Sequence, residues 1–498
     1  MSSVLDLSPG QSLGPFQLGS MLFNVLNHVR TYRSAYPHAK VAWDEENPST
    51  EPLHITLTNP PLHLLFSPLD QRLSRIEVSG LSPGACVSYR GRPLQADGED
   101  DEDVVKAVRR AFGPTYGSSR AEAQMGGQVE EMLSYPGVAF GVIVGAHGSI
   151  LSRIILTPLP PPAGVPVDQA WLHPVLPLSP AAAAGDLRVA QIFLDTSNHA
   201  SHVLLHFYSS STDGAESPVG APPFELRIGE TTSEDVLCEL GGAIRTFWKE
   251  DDRMTIHTNG VGDSSLSPNP YFLSYPHLGL TLLLSSAPSA TQPAHTLLKT
   301  IFHSNTPGEV NFGRTARARW VLVREDGKRE AGAEDGAEKV MSALRRRAPS
   351  EGEKTSGGWS GALSLSPSPL LAGLNGGGGK KSKPGAASPL SSSPGSLGAR
   401  GRLAEQPVEN LLGLSTFEDP SAAPAAKARE GKTATEEHEK PMILDRTADG
   451  SVRGGKSRNG TGENGGGGVR GKTTEIHGFP GIALEVTQEG EVETVWLF

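Results

Sequence analysis

The sequence predicts an α+β fold of repeated units, each a helix plus an antiparallel β-hairpin, forming small sheets with long disordered insertions. Three observations lead to this prediction. Four pairs of apolar segments each follow a Pro or Gly turn, and an amphipathic helix precedes each pair. Two stretches rich in Gly, Ser and Pro contain few residues that could form a core. The hairpin connections are too short for parallel crossovers, so we expect antiparallel sheets.

The hairpins are the clearest part of the pattern. Their paired segments are 62–66 with 73–78, 138–144 with 150–156, 277–284 with 297–303, and 482–487 with 492–498. In the third pair, Leu278, Leu280, Leu282 and Leu284 alternate with other residues. A period of two is typical of a half-buried strand, so one face of this hairpin is predicted to be buried.

A helix is predicted ahead of each hairpin. In the first unit, apolar residues recur at helical spacing between Met21 and Tyr32, with Ser20 as the N-cap. In the third unit, residues 232–235 resemble a capping box. Residues 104–112 and 338–346 are the corresponding helices of units two and four.

These units divide the chain into five regions. They are 1–160 (units one and two), 161–223 (a divergent strand and linker region), 224–348 (unit three and the start of unit four), 349–437 (a disordered low-complexity insertion) and 438–498 (the closing strands of unit four, with a Gly-rich loop at 449–472).

Composition excludes several classes of protein. The net charge of −11 argues against a general nucleic-acid binder, which usually carries a basic face. Cys86 and Cys238 cannot form a disulfide framework, and we expect both thiols to be reduced and buried. Residues 1–14 lack the pattern of a secretory signal, and the longest apolar stretches fall far short of the ~20 residues that cross a bilayer. Any membrane contact is therefore expected to be peripheral.

The sequence offers no catalytic or metal-binding motif. The fifteen histidines are scattered, and neither a nucleophile elbow nor a phosphate-binding loop occurs. We therefore predict no catalytic residues, no metal site and no cofactor.

One basic segment is a candidate contact for lipid headgroups. If residues 313–324 form a strand, Trp320 and Leu322 share one face while Arg317 and Arg319 project from the other towards solvent. A guanidinium group pairs bidentately with phosphate, so both arginines suit an anionic headgroup. The alternative is an ordinary amphipathic strand with one wet face.

Several segments taken together resemble the phagophore assembly factor family. The most specific is residues 228–257, in which residues 246–257 read Thr-Phe-Trp-Lys-Glu-Asp-Asp-Arg-Met-Thr-Ile-His. The other similar segments, in chain order, are 16–30, 53–78, 112–117, 135–140, 271–275 and 302–312. The resemblance covers roughly 10–350 and again 437–498, and the low-complexity stretches have no counterpart in compact members.

The resemblance implies a non-enzymatic adaptor that regulates autophagy from the cytoplasm, peripherally at the phagophore or preautophagosomal membrane. Members of the family associate with a WD-repeat β-propeller partner, and the complex binds phosphoinositides. The resemblance brings no catalytic residue with it. It supplies a candidate family-motif surface formed by His303, Asn305, Pro307, Gly308, Asn311 and Phe312.

Two other functions stay open at this point. The chain could be a vesicle-trafficking or Golgi factor, or an enzyme whose residues converge only in three dimensions. A pocket that joins a nucleophile and a base would favour the enzyme. Affinity purification with and without starvation would separate the autophagy adaptor from the trafficking factor by partner and pathway.

Overall fold

The computed structural model describes residues 4–79, 86–94, 104–122, 129–145, 148–159, 166–172, 185–208, 222–248, 269–345, 403–408, 442–445 and 473–498. Within these residues the protein is predominantly β, with four α-helices and twenty-seven strands in four sheets. The predicted α+β class therefore needs correction, because strands dominate and neighbouring units merge into large sheets.

The first unit places one helix ahead of a four-stranded meander. Its elements are β1 (Val4–Ser8), β2 (Ser12–Leu13), β3 (Phe16–Gln17), α1 (Leu22–Thr31), β4 (Lys40–Asp44), β5 (Leu53–Thr58), β6 (Pro61–Phe66) and β7 (Leu73–Ser79). Helix α1 buries Leu22, Val25 and Val29, which recur three or four residues apart. Met21 occupies the N-cap position without a side-chain hydrogen bond, so the prediction of Ser20 as the cap is wrong.

The second unit follows the same order of elements. They are β8 (Cys86–Tyr89), β9 (Arg92–Pro93), α2 (Val104–Phe112), β10 (Gly117–Glu122), β11 (Val129–Tyr135), β12 (Val138–Gly145) and β13 (Gly148–Leu156). The β11–β12 turn contains Gly137 at φ +77°, and a Cβ atom there would collide with the backbone of Gly10. Gly10 N donates a 3.0 Å hydrogen bond to Gly137 O, so this close approach joins the two units.

The third unit contains the predicted capping box. Its elements are β14 (Leu187–Leu194), β15 (Ala200–Phe207), β16 (Phe224–Leu226), α3 (Ser233–Leu240), β17 (Arg245–Trp248), β18 (Tyr271–Tyr275), β19 (Leu280–Leu284) and β20 (Leu297–His303). At the start of α3, the Thr232 side chain accepts a hydrogen bond from Asp235 N, and Thr232 N donates one to the Asp235 carboxylate. Leu280, Leu282 and Leu284 are fully buried, as predicted, but Thr281 between them is also buried, and Leu278 lies in a short 3-10 helix ahead of the strand.

The fourth unit completes the chain. Its elements are β21 (Trp320–Arg324), β22 (Arg329–Gly332), α4 (Ala337–Arg345), β24 (Met442–Asp445), β25 (Thr473–Phe479), β26 (Ile482–Val486) and β27 (Val492–Leu497). One further strand, β23 (Leu403–Pro407), lies inside the segment predicted to be a disordered insertion. The rest of 349–437 and the predicted Gly-rich loop at 449–472 lie outside the described residues.

The two halves of the chain share one strand order. In the first half the small sheet runs β3-β2-β1-β8-β9 and the large sheet β10-β11-β12-β13-β7-β6-β5-β4, with β23 added outside β4. In the second half the orders are β16-β15-β14-β21-β22 and β24-β25-β26-β27-β20-β19-β18-β17. Each small sheet contains one parallel pair, β1 with β8 and β14 with β21. The region predicted to be divergent thus supplies β14 and β15, which correspond to β1 and β2.

Each half has its own hydrophobic core. One buried cluster contains side chains from units one and two, and the other contains side chains from units three and four. Phe312 and Val408 are exceptions, because both belong to the first cluster although they come from later in the chain. Phe312 therefore marks the place where the halves join.

Candidate functional site

The two halves meet where the β6–β7 turn faces the loop after β20. Three consecutive turn residues, Asp70, Gln71 and Arg72, each contact a different part of the second half. Their partners are Arg319, Asn305 and Asp186 respectively. We call these six residues the junction clamp.

At the centre of the junction clamp, the side-chain amide of Gln71 contacts both the side-chain amide and the backbone carbonyl of Asn305. Gln71 Nε2 donates to Asn305 O (2.9 Å), and Asn305 Nδ2 donates to Gln71 Oε1 (2.6 Å). Gly313 N donates to Asn305 Oδ1 at 2.7 Å. Gln71 and Asn305 are 2% and 1% exposed, and both adopt a positive φ, a conformation that asparagine tolerates better than most residues. Buried amides need their hydrogen bonds, so these contacts fix the relative position of turn and loop.

Charged pairs flank the two amides. Arg72 Nη2 donates to Asp186 Oδ2 (2.9 Å), and Arg72 Nη1 donates to Gly19 O (2.8 Å). Burial raises the pKa of Asp186, and the neighbouring Arg72 opposes that shift. Arg319 Nη1 lies 3.1 Å from Asp70 Oδ1 on the other side. The clamp therefore combines neutral and charge-assisted hydrogen bonds across the junction.

Half of the residues in the candidate family-motif surface are buried. Asn305, Pro307 and Phe312 are buried, while His303, Gly308 and Asn311 are partly exposed. The Phe312 ring is fully buried in the first core, 5.8 Å from the ring of Trp43. The expectation that these six residues form a surface is therefore wrong for half of them, because the segment crosses between the halves.

Arg317 is also interior, so its predicted exposure is wrong. The strand starts at Trp320, not at residue 313, and strand alternation does not govern residue 317. Arg317 is 7% exposed, and its Nη2 donates to Ala333 O at 3.0 Å. A guanidinium in this position cannot reach a headgroup. Arg319 is more accessible, with 39% of its side chain exposed beside Asp70.

Arg317 lies among acidic side chains that sequence analysis did not find. Burial lowers the pKa of Arg317, while the charges of Glu491, Glu493 and other carboxylates oppose that shift. Glu493 is 2% exposed, and its carboxylate accepts a 3.1 Å hydrogen bond from Thr306 N. Burial, followed by the charges of Glu485 and Glu309, raises the pKa of Glu493 to about 8. The carboxyl group of Glu493 is therefore protonated more readily than that of an exposed glutamate.

One indirect signal for this site was present in the sequence. Gln71 and Arg72 lie in one family-like segment, 53–78, and Asn305 lies in another, 302–312. Nothing in the sequence pairs these segments, which are separated by more than 200 residues. The contact between them emerges only from the packing of the two halves.

No described cluster has the composition of a metal site. Across the described ranges, no group of three or more His, Cys, Asp or Glu side chains could hold a metal ion. A pocket beside α3 is lined by Asp235, Cys238 and Glu239, among others. Cys238 is exposed, contrary to expectation.

The fold and the junction clamp define a β-rich scaffold in which two halves of matching strand order are held by buried polar contacts. The chain belongs to the phagosome assembly factor 1 family, whose family model matches residues 12–351. That match includes all six residues of the junction clamp. The resemblance first noted in the sequence is thereby confirmed.

Curated relatives come from plants and animals. A PHAF1 protein of Arabidopsis thaliana is 24% identical over 353 residues, covering 64% of this chain and 75% of the relative. A PHAF1 protein of Drosophila melanogaster is 25% identical over 339 residues, covering 64% and 74%. A PHAF1 protein of Caenorhabditis elegans is 28% identical over 102 residues, covering 20% and 22%. No solved structure matches the chain.

Proposed function

We propose that the protein is a non-enzymatic adaptor in autophagy that acts in the cytoplasm, peripherally at the phagophore membrane. Membership of the phagosome assembly factor 1 family carries the proposal. The two halves and the junction clamp support it, because a rigid scaffold presents binding surfaces in a fixed relative position. In this proposal, repeated units of helix and sheet form the scaffold.

The proposed partners are a WD-repeat β-propeller protein and a membrane that contains phosphoinositides. No helix within the described ranges is long and apolar enough to span a bilayer. Arg319 remains the candidate headgroup contact, whereas Arg317 does not, since it is buried.

The first experiment identifies the partner. The tagged full chain is purified from fed and starved cells, and the proteins that copurify are identified by mass spectrometry. We expect a WD-repeat propeller protein in the eluate and other autophagy factors enriched after starvation. Recovery of Golgi or vesicle-coat proteins without autophagy factors would contradict the proposal.

The second experiment tests whether lipid contact is direct. Purified chain is sedimented with vesicles that contain a phosphoinositide, and with vesicles of equal charge made with phosphatidylserine. We expect Arg319→Glu to weaken phosphoinositide binding roughly five- to tenfold, because one basic residue near an anionic surface contributes about 1 kcal/mol and reversal adds repulsion. Lys328→Glu, at a side chain that is 70% exposed, controls for loss of surface charge, and Asp70→Asn removes the same ion pair of the junction clamp while keeping Arg319. Vesicle binding by Arg319→Glu that equals binding by either control would exclude Arg319 as a specific contact.

A further inference from the structure

Each large sheet ends in a short strand that follows the first helix of its half. In the first half this strand is β4, which follows α1, and in the second half it is β17, which follows α3. Strand β23 lies outside β4, whereas β17 is the outermost strand of its sheet in the part of the chain that the structure describes. The two edges are topologically equivalent. Within the residues that the structure describes, an extra strand lies outside β4 but not outside β17.

The equivalence extends to a single tryptophan. In β4, Val41 pairs with Ile55, which pairs with Leu64 of the next strand. In β17, Thr246 occupies the same place, because it pairs with Leu273, which pairs with Leu282. Trp43 lies two residues after Val41, and Trp248 lies two residues after Thr246. Both tryptophans therefore occupy the same position on their edges.

The covered edge shows how a strand fits there. β23 adds antiparallel to β4 and places Ala404 opposite Trp43. Val408 follows at the end of the strand, 3% exposed, and its N–H donates to Ala39 O at 2.9 Å. On the outer side, Lys40 Nζ lies 3.5 Å from Glu405 Oε2. The added segment thus supplies small or apolar side chains inside and an acidic one outside.

The β17 edge exposes large apolar side chains. Trp43 is 7% exposed, whereas Trp248 and Ile244, which precedes β17, are each 56% exposed. The Trp248 ring lies 5.1 Å from the ring of Tyr271, which holds it at the edge of the sheet. Exposed edge strands with apolar side chains readily accept a further strand.

We propose that β17 is a docking edge for an extended segment of a partner protein, which adds antiparallel as a further strand with a small side chain over Trp248. This proposal deepens the adaptor function and rests on it, because it states where a partner strand binds. β23 on β4 is the intramolecular example of the same contact.

A peptide with the sequence of residues 401–410 is the probe, because it contains a strand that fits an equivalent edge. Dye-labelled peptide is titrated with the full chain and binding is followed by fluorescence anisotropy. The tethered β23 already occupies β4 at high effective concentration, so a free peptide meets β17. We expect weak binding, with a Kd on the order of 100 μM, typical of a short unconstrained strand.

Two double variants locate the binding. Ile244→Ser with Trp248→Ser removes the exposed side chains of the edge and should weaken binding at least tenfold. Ile150→Ser with Tyr32→Ser removes comparably exposed apolar side chains elsewhere (63% and 54% exposed) and should leave binding unchanged.

Absence of binding up to about 1 mM peptide overturns the docking edge, as does equal binding by the two double variants. Either result leaves the adaptor proposal intact if a propeller partner still copurifies with the full chain. Conversely, peptide binding that depends on Trp248, without any copurifying partner, supports the docking edge and removes the adaptor function.

Discussion

The buried carboxyl group of Glu493 makes the stability of the second half depend on pH. Its pKa is about 8 in the folded protein and 4.5 in its ordinary state, so the folded state binds the additional proton between these values. Stability is therefore greatest below about pH 4.5 for this group and decreases as pH rises towards 8. Each pH unit in that window costs up to about 1.4 kcal/mol.

We predict that Glu493→Gln flattens this dependence and makes the protein more stable than wild type at pH 8. A glutamine oxygen can still accept the hydrogen bond from Thr306 N. Chemical denaturation at pH 5, 6, 7 and 8 measures the difference. Glu338→Gln, on the exposed side of α4, is the control and should leave the slope as in wild type. An unchanged slope in the Glu493 variant would show that this carboxyl is ionised in the fold.

The amide pair of the junction clamp is suited to a double-mutant cycle. Gln71→Ala and Asn305→Ala should each cost about 2 kcal/mol, because each leaves a buried polar partner unsatisfied. The double variant should cost less than the sum of the two, since the hydrogen bond between the two side chains is lost in both single variants and is counted twice in the sum. Asn311→Ala, in the same loop and partly exposed, should change the free energy of unfolding by under about 0.5 kcal/mol. Strict additivity would mean that the contact is energetically unimportant.

At the scale of elements, β23 is held by few buried side chains. Val408 is buried in the first core, while Pro407 beside it is exposed. We predict that Val408→Asp detaches β23, because a carboxylate cannot remain unpaired in an apolar core. Hydrogen exchange of the β4 amides should then accelerate. Pro407→Asp adds the same charge on the outer side and should leave exchange unchanged, whereas equal protection in both variants would contradict the prediction.

Sequence periodicity predicted the helices and hairpins, because each depends on contacts within about thirty residues. Leu280 and the Thr232 capping box lie where the local pattern places them. β23 could not be predicted, since five residues in a low-complexity stretch carry no periodic signal. Arg317 was misplaced because residues 313–319 do not form a strand, and an alternation rule applied outside a strand gives arbitrary faces.

At the scale of the molecule, cleavage in the low-complexity region should not separate the parts. The composition of 349–437 favours attack there by a protease under native conditions. We predict that the segment 473–498 stays bound, because β27 pairs with β20 and Val495 and Leu497 are buried in the second core. Gel filtration followed by mass spectrometry of the nicked protein tests this. Elution of the C-terminal fragment alone, without denaturant, would contradict it.

The junction clamp and the order of the strands in the sheets are also features of the whole molecule, and neither could be predicted from the sequence. Asp70, Gln71 and Arg72 carry no motif, and their partners lie more than 100 residues away. Contacts at such separation arise from the docking of completed sheets, which local propensity does not encode. The family match spans both segments without indicating that they touch.

The pairing of β20 with β27 also determines how long β20 lacks a partner strand during synthesis. β20 ends at His303 and β27 begins at Val492, so roughly 190 residues separate two neighbouring strands. At about 5–20 residues per second, the ribosome needs roughly 10–40 s to deliver β27. A hairpin such as β19–β20 forms in microseconds, so the apolar edge of β20 waits unpaired for nearly that whole interval. The interval between these two strands is therefore the aggregation-prone stage in the biogenesis of this protein.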